Sequence, residues 1–230
     1  MKKIIIAFLL MALVALAGCK EANTINVSGS SELTFDPNQA EVWAGISIVK
    51  PTAEEAQNEA NKVINKIIDG LRYKGIQDKD IATEQLSLYE ETRWENNQLK
   101  SIGWRATQTL KIRTTDLSKV GLIVDVCVNN GANQIPNINF GLTEEKEQEY
   151  KKQALAEAAK NAKAKAETIA ESLGVKLGKV KTVSESNYYY TPYTYAMARA
   201  EGKDAVAEAA TVLPGDVTVT GQVSIIYYVG

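Results

Sequence analysis

No histidine occurs in the 230 residues. That removes Ser-His-Asp and Cys-His catalysis and the commonest transition-metal ligand. Cysteine is nearly as scarce. Cys19 and Cys127 are the two in the chain, too few for a zinc cluster. No Walker loop appears, and no strand leads into a GxGxxG turn. Charge of either sign is in short supply as a field: 26 Lys and Arg stand against 28 Asp and Glu, a formal net charge of −2. Nucleic acid wants a basic patch or stripe. Here the cations are mixed with Glu along predicted helices, which reads as a solvated surface. No cofactor, no metal site and no nucleic-acid partner is expected.

What is present begins with the N-terminus. Lys2 and Lys3 supply positive charge, an uncharged apolar run fills residues 4–16, and the small Ala17 and Gly18 precede Cys19. This is the build of a secretory leader, and the run is short for a spanning helix, which needs about 20 apolar residues. Residues 1–18 are therefore read as a signal peptide, 19–24 as a tether and 25–230 as one domain. Leu16-Ala17-Gly18-Cys19 also resembles the lipobox of prokaryotic lipoproteins, in which the cysteine thiol carries diacylglycerol and becomes the first residue. That resemblance implies lipid on Cys19 and a chain held to the cell membrane or outer membrane, facing the periplasm or exterior. An ordinary small-x-small cleavage at Ala15-Leu16-Ala17 and an uncleaved anchor remain the alternatives. With Cys19 lipidated, Cys127 has no partner and no disulfide framework forms. Cys127 recurs with Leu117, Val120 and Val124 at helical spacing, so it is expected as a small buried apolar side chain rather than a reactive thiol.

The mature chain divides into alternating and helical patterns. Residues 25–32 and 40–49 read as strands joined by the Asp36-Pro37-Asn38 turn, and a hairpin is expected from them. Thr52 and Glu55 complete a capping box ahead of a helix that turns Ala56, Ala60, Val63, Ile64, Ile67, Ile68 and Leu71 inward. Strands follow at 83–89 and 104–113, with a polar hairpin tip at 90–100 around Asn96 and Asn97. Asp116 caps a helix at 117–128, which Asn130 and Gly131 stop. A strand at 134–141 precedes a long helix at 143–173. Its Glu residues come first and its Lys residues later, the order the helix dipole favours. Its Ala154, Ala158, Ala162, Ala166 and Ala170 form a ridge that permits close approach to a sheet or another helix. Strands at 179–186 and 216–229 are expected to enclose an irregular excursion at 187–214, in which 197–210 favours a short helix by composition. The fold class is α+β: a mostly antiparallel sheet backed by at least three helices.

Two features carry the question of function. Glu54-Glu55, Glu90-Glu91 and Glu144-Glu145 are adjacent carboxylates, and neighbours on a helix or strand point apart. A carboxylate-based envelope hydrolase would instead need Asp or Glu from distant segments to meet in one cleft. The other feature is the run Tyr188, Tyr189, Tyr190, Tyr193 and Tyr195 beside Pro192. Either these rings pack on their own domain or a neighbouring subunit, or they form a surface for glycan, lipid headgroup or protein.

Several segments in order resemble one family. They are Val27-Ser28-Gly29, then Gly131-Ala132-Asn133 ahead of Ile138 and Phe140, then the helix from Gln153-Ala154-Leu155 through Ala170. Leu173-Gly174-Val175-Lys176-Leu177-Gly178-Lys179-Val180 follows, and Pro214-Gly215-Asp216-Val217 opens the last strand. Together these resemble the SIMPL-domain family, which includes bacterial periplasmic and outer-membrane immunogenic proteins, over residues 25–229. Asp36-Pro37-Asn38 departs from the Pro-Asp that relatives often show. The resemblance implies an α+β fold, an envelope location and a tendency to self-assemble. It implies no reaction and so no catalytic residue. A homo-oligomer is expected, through the resemblance and the alanine ridge, together with an envelope ligand or protein partner.

Overall fold

A computed structural model of the chain describes residues 22–195 and 214–230. The leader, Cys19 and the short helix expected at 197–210 lie outside the described residues. Among these the chain runs β1 (Thr24–Phe35), β2 (Gln39–Lys50), α1 (Ala53–Tyr73), β3 (Ile81–Glu95), β4 (Gln98–Thr114), α2 (Val120–Asn129), β5 (Ile138–Gly141), α3 (Glu144–Ser172), β6 (Leu177–Thr191), β7 (Tyr193–Tyr195) and β8 (Val217–Val229). The α+β class is observed, with antiparallel pairing in the larger sheet. The described residues separate into two compact units. One takes 22–31, Gln153–Tyr188 and Thr220–Gly230; the other takes Glu32–Lys152 with 189–195 and 214–219.

The first unit is built on a three-stranded sheet in the order β1-β8-β6. Ile25 and Val27 of β1 and Val223, Ile225 and Tyr227 of β8 meet Ala158, Ala162, Ala166 and Ala170 of α3 in one core. The alternation read in β8 is what buries one of its faces. The alanine ridge lies against backbone. A Cβ on Gly29 would overlap the Ala158 carbonyl oxygen, and one on Gly221 would lie 2.8 Å from the Ala154 carbonyl carbon. Ser31 Oγ donates to the Ala154 carbonyl at 2.7 Å in the same seam. The ridge is thus consumed within its own unit and leaves nothing for a second copy. After Ser172 the helix stops in a Schellman turn: Gly174 has φ of 67°, and Val175 N–H donates to Ala170 O at 3.0 Å.

The second unit holds a five-stranded sheet in the order β3-β4-β2-β5-β7. The face carrying Val42, Ala44, Leu110, Ile112, Ile138 and Phe140 packs with α1 and α2. α1 begins on the expected capping box, with Glu55 N–H donating to Thr52 Oγ1 at 3.2 Å and Thr52 N–H to Glu55 Oε2 at 3.3 Å. Ile67 and Leu71 are fully buried on its inner face, each contributing about 1.5–3 kcal/mol of transfer free energy.

The hairpin expected from the first two strands does not form. β1 pairs in the first sheet, while β2 lies between β4 and β5 in the second. The Asp36-Pro37-Asn38 corner explains the diversion. Asn38 N–H donates to Gly141 O at 2.9 Å, and its side chain accepts from Thr143 N–H at 2.8 Å while donating to Thr143 Oγ1 at 3.1 Å. The corner is therefore fastened to the end of β5, and β2 leaves it along β5 rather than back along β1. The other large departure is at β3 and β4. Both strands run on through the segment read as a polar tip, and only Asn96 and Asn97 turn, at φ of 50° and 59°. Two successive left-handed residues make the tight turn that matches strand twist, and Asn tolerates that conformation.

Candidate interaction surfaces

Cys127 is fully buried on α2, and burial pushes its thiol up to about 12. It stays protonated at physiological pH, which fits the expected packing role and not a nucleophile. Among the described residues no three His, Cys, Asp or Glu side chains are grouped so as to hold a metal.

One cleft does bring distant carboxylates together. It has a volume of about 340 Å³, and Gln39, Lys79, Asp80, Arg113, Asp116 and Lys119 line it. Asp116 accepts from Ser118 Oγ at 2.5 Å and from Ser118 N–H at 3.2 Å. The Ser118 hydroxyl, then its N–H and Lys119, hold this carboxyl below the usual range. A general acid needs the opposite shift. Asp116 is a turn cap, and the cleft is lined by mixed charge.

The tyrosines do not sit on an irregular excursion. β6 extends through Thr191, and β7 adds a short strand to β5, with Tyr193 opposite Phe140 and Tyr195 opposite Ile138. Strand alternation splits the run, because successive side chains leave on opposite faces. The Tyr190 hydroxyl accepts the Leu142 N–H at 2.7 Å, and the space a Cβ on Gly141 would need is already taken by that hydroxyl. Burial raises the Tyr190 phenol, partly opposed by that hydrogen bond. The Tyr193 ring lies 6.4 Å from the Phe140 ring and against Gly215. Tyr188 is half-buried, whereas Tyr189 is 58% exposed. Of the Tyr195 side chain nothing is described. Tyr190 and Tyr193 fasten the edge of the sheet, with Tyr193 still 38% exposed and Tyr189 more open than either.

Sequence reading missed a second surface. On the sheet face opposite the helices, Arg105 Nη2 lies 2.5 Å from Glu91 Oε2 in an ion pair. Arg105 Nη1 donates to Ser47 Oγ at 2.9 Å, and Ser47 Oγ is 3.0 Å from Thr107 Oγ1. Asn133 clamps the same strand, accepting from Ser47 N–H at 2.9 Å and donating to Ser47 O at 2.8 Å. Beyond this network the edge of the sheet leaves large apolar side chains among its charged ones. Leu86, Leu88, Trp94 and Leu99 are all exposed on β3 and β4, Trp94 at 69%. The polar residues around 90–100 concealed Trp94 and Leu99; a tryptophan inside so polar a segment was the available signal.

The chain matches the model of the SIMPL family, described as a protein of unknown function (DUF541), over residues 25–227. It is 28% identical over 190 residues to the 26 kDa periplasmic immunogenic protein of Brucella melitensis, covering 80% of this chain and 74% of that one. It is 27% identical over 205 residues to YggE of Edwardsiella ictaluri, covering 87% and 84%. It is 25% identical over 175 residues to YggE of Escherichia coli K12, covering 75% and 70%. The segments that carried the resemblance have structural employment here: Gly29 seats α3, Asn133 clamps β2, Gly174 ends α3 and Gly215 packs on Tyr193. A family match over residues 25–227, and so over both units, places the protein: the chain belongs to the SIMPL family.

Proposed function

We propose that this is a lipid-anchored protein of the periplasmic face of the cell envelope that acts by binding or self-assembly. The observation that carries the reading is the apolar edge of the five-stranded sheet, where Leu86, Leu88, Trp94 and Leu99 stand exposed. Large apolar side chains left exposed on an edge strand offer a contact face, here set among the charged Glu84, Glu90, Glu91, Arg93 and Glu95. The leader ending in Leu16-Ala17-Gly18-Cys19 supports export and lipidation, and the relative named a periplasmic immunogenic protein supports the compartment. Self-assembly uses the β3 edge, since the alanine ridge is occupied.

Two measurements test this. Intact mass of the mature chain should show diacylglycerol on Cys19; a free thiol there, or an N-terminus at Gly18, ends the anchoring half. Light scattering of residues 20–230 should show a multimer that Leu86→Lys with Leu88→Lys reduces while circular dichroism stays unchanged. A strict monomer across the micromolar range ends the assembly half.

A further inference from the structure

Four chain segments meet at one end of the first unit. Ser31 Oγ donates to the Ala154 carbonyl, Asn161 Nδ2 to Ser30 O at 2.9 Å, and Lys165 Nζ to Ser28 O at 3.0 Å. Going back along β1 is therefore going forward along α3, and the start of β1 lies beside the end of the helix. Val229 N–H donates to Asn23 O at 3.0 Å, and Lys176 and Gly230 exchange two backbone hydrogen bonds, at 2.8 and 3.2 Å. The start of β6 and the end of β8 thus reach the same place. Side chains four apart on a helix share a face. Lys165, Ile169 and Leu173 make one such row, and Leu173 N–H still donates to Ile169 O at 3.1 Å. The Lys165 contact turns that row toward the edge of β1. Ile169 is 40% and Leu173 67% exposed, and the core of the unit closes without either.

What lies against this end follows from where the chain leads. Asn23 is held in place by β8, and Cys19 is four positions before it, a reach of about 14 Å at full extension. A diacylglycerol on Cys19 has its glycerol at the base of a headgroup layer roughly 5–8 Å deep. A tether this short keeps the start of β1, and the apolar row beside it, at the level of the headgroups. We propose that Ile169 and Leu173 enter the bilayer that holds the anchor, a second contact that sets this end of the first unit against the membrane. The driving force is the removal of aliphatic surface from water. Two side chains are a weak contact for a free protein. A short tether supplies an effective concentration on the order of millimolar, which populates it. A second copy fits the row less well, because two aliphatic side chains fall far short of the about 800 Å² per partner of a stable interface. The inference rests on the lipidation of Cys19 proposed above.

The test uses the full chain, exported by a bacterial host and placed in phosphatidylcholine vesicles, with a nitroxide on Leu173→Cys. The parent chain should take up no nitroxide, since Cys127 is buried. Val183→Cys is the control: it is 60% exposed, in the same unit, and about 20 Å along β6 from Leu177. On vesicles the label at 173 is expected to gain collisions with oxygen and to lose those with a water-soluble nickel chelate. The label at 183 should stay open to the chelate. A label at 173 as open to nickel as the one at 183, on a chain whose mass shows diacylglycerol, overturns the proposal and leaves the anchoring intact. Loss of nickel access without a gain in oxygen also overturns it, because that marks cover by another copy of the chain rather than by lipid. A mass without lipid on Cys19 ends the anchoring and this inference with it.

Discussion

Replacing Gly29 by alanine opposes two levels of the structure. Local preference favours the change, since alanine in a strand is better than glycine by roughly 0.5–1 kcal/mol. Tertiary packing opposes it. The new Cβ would overlap the Ala158 carbonyl oxygen and would lie 2.6 Å from Ala162 N and 2.8 Å from Ala162 Cβ. Two of these three obstacles are helix backbone, so no rotamer change relieves them, and either α3 or β1 must move. Overpacking of this kind costs about 1–3 kcal/mol, and the backbone obstacles put Gly29→Ala at the upper end. A loss of about 3 kcal/mol lowers Tm by roughly 6–12 °C for a chain of this size. Thermal melting of residues 20–230 by far-UV circular dichroism is the assay. Ser28→Ala, at an exposed neighbouring position, should melt within about 1 °C of the parent chain. Adding Ala162→Gly should not restore Gly29→Ala, because the Ala158 carbonyl remains in place. The sign decides the matter: a Gly29→Ala chain that melts at or above the parent temperature refutes close seating of α3 on β1.

Asn133→Ala removes both hydrogen bonds to the Ser47 backbone and should cost about 1–3 kcal/mol in urea unfolding, with an unchanged m-value. Arg105→Ala should destabilise the chain at neutral pH, and the difference should fade in acid. The Arg105 guanidinium holds the Glu91 carboxyl below its usual range. Stability from that depression is therefore present above the unfolded carboxylate pKa and is lost as pH falls through the folded one. Melting temperatures of both chains across the acid range check this: the gap should narrow to what the lost Ser47 hydrogen bond leaves, and a gap that does not narrow contradicts it. Cys127 should resist a thiol reagent at mildly alkaline pH until the chain is unfolded, because burial holds its pKa near 12. Cys127→Ser places a hydroxyl in the same apolar site, and a loss of about 1–3 kcal/mol should appear in the same urea titration.

Periodicity alone determined most of the elements. The spacing of Ala56, Ile64, Ile67 and Leu71 marked the inner face of α1, and Thr52 with Glu55 marked its start, because both signals lie within one or two helical turns. The absence of histidine and the helical setting of Cys127 narrowed the chemistry to expect, since those are facts of composition and local pattern. Partners across long separations were another matter. That β1 joins β8 depended on Asn38 being fastened to Gly141 and Thr143, about a hundred residues away in the chain. The alanine ridge was legible as a close-approach surface, but only the tertiary structure set Gly29 and Gly221 against it and so took it away from a second copy. The tyrosines looked like one patch because they are adjacent in sequence. A strand sends neighbours to opposite faces, and β5 supplied the Leu142 N–H and the Phe140 ring that claimed Tyr190 and Tyr193. Trp94 and Leu99 are five residues apart, on the two arms of one hairpin. The turn at Asn96 and Asn97 fixes the register that sets them side by side, and the end of β2 leaves that part of the ribbon uncovered.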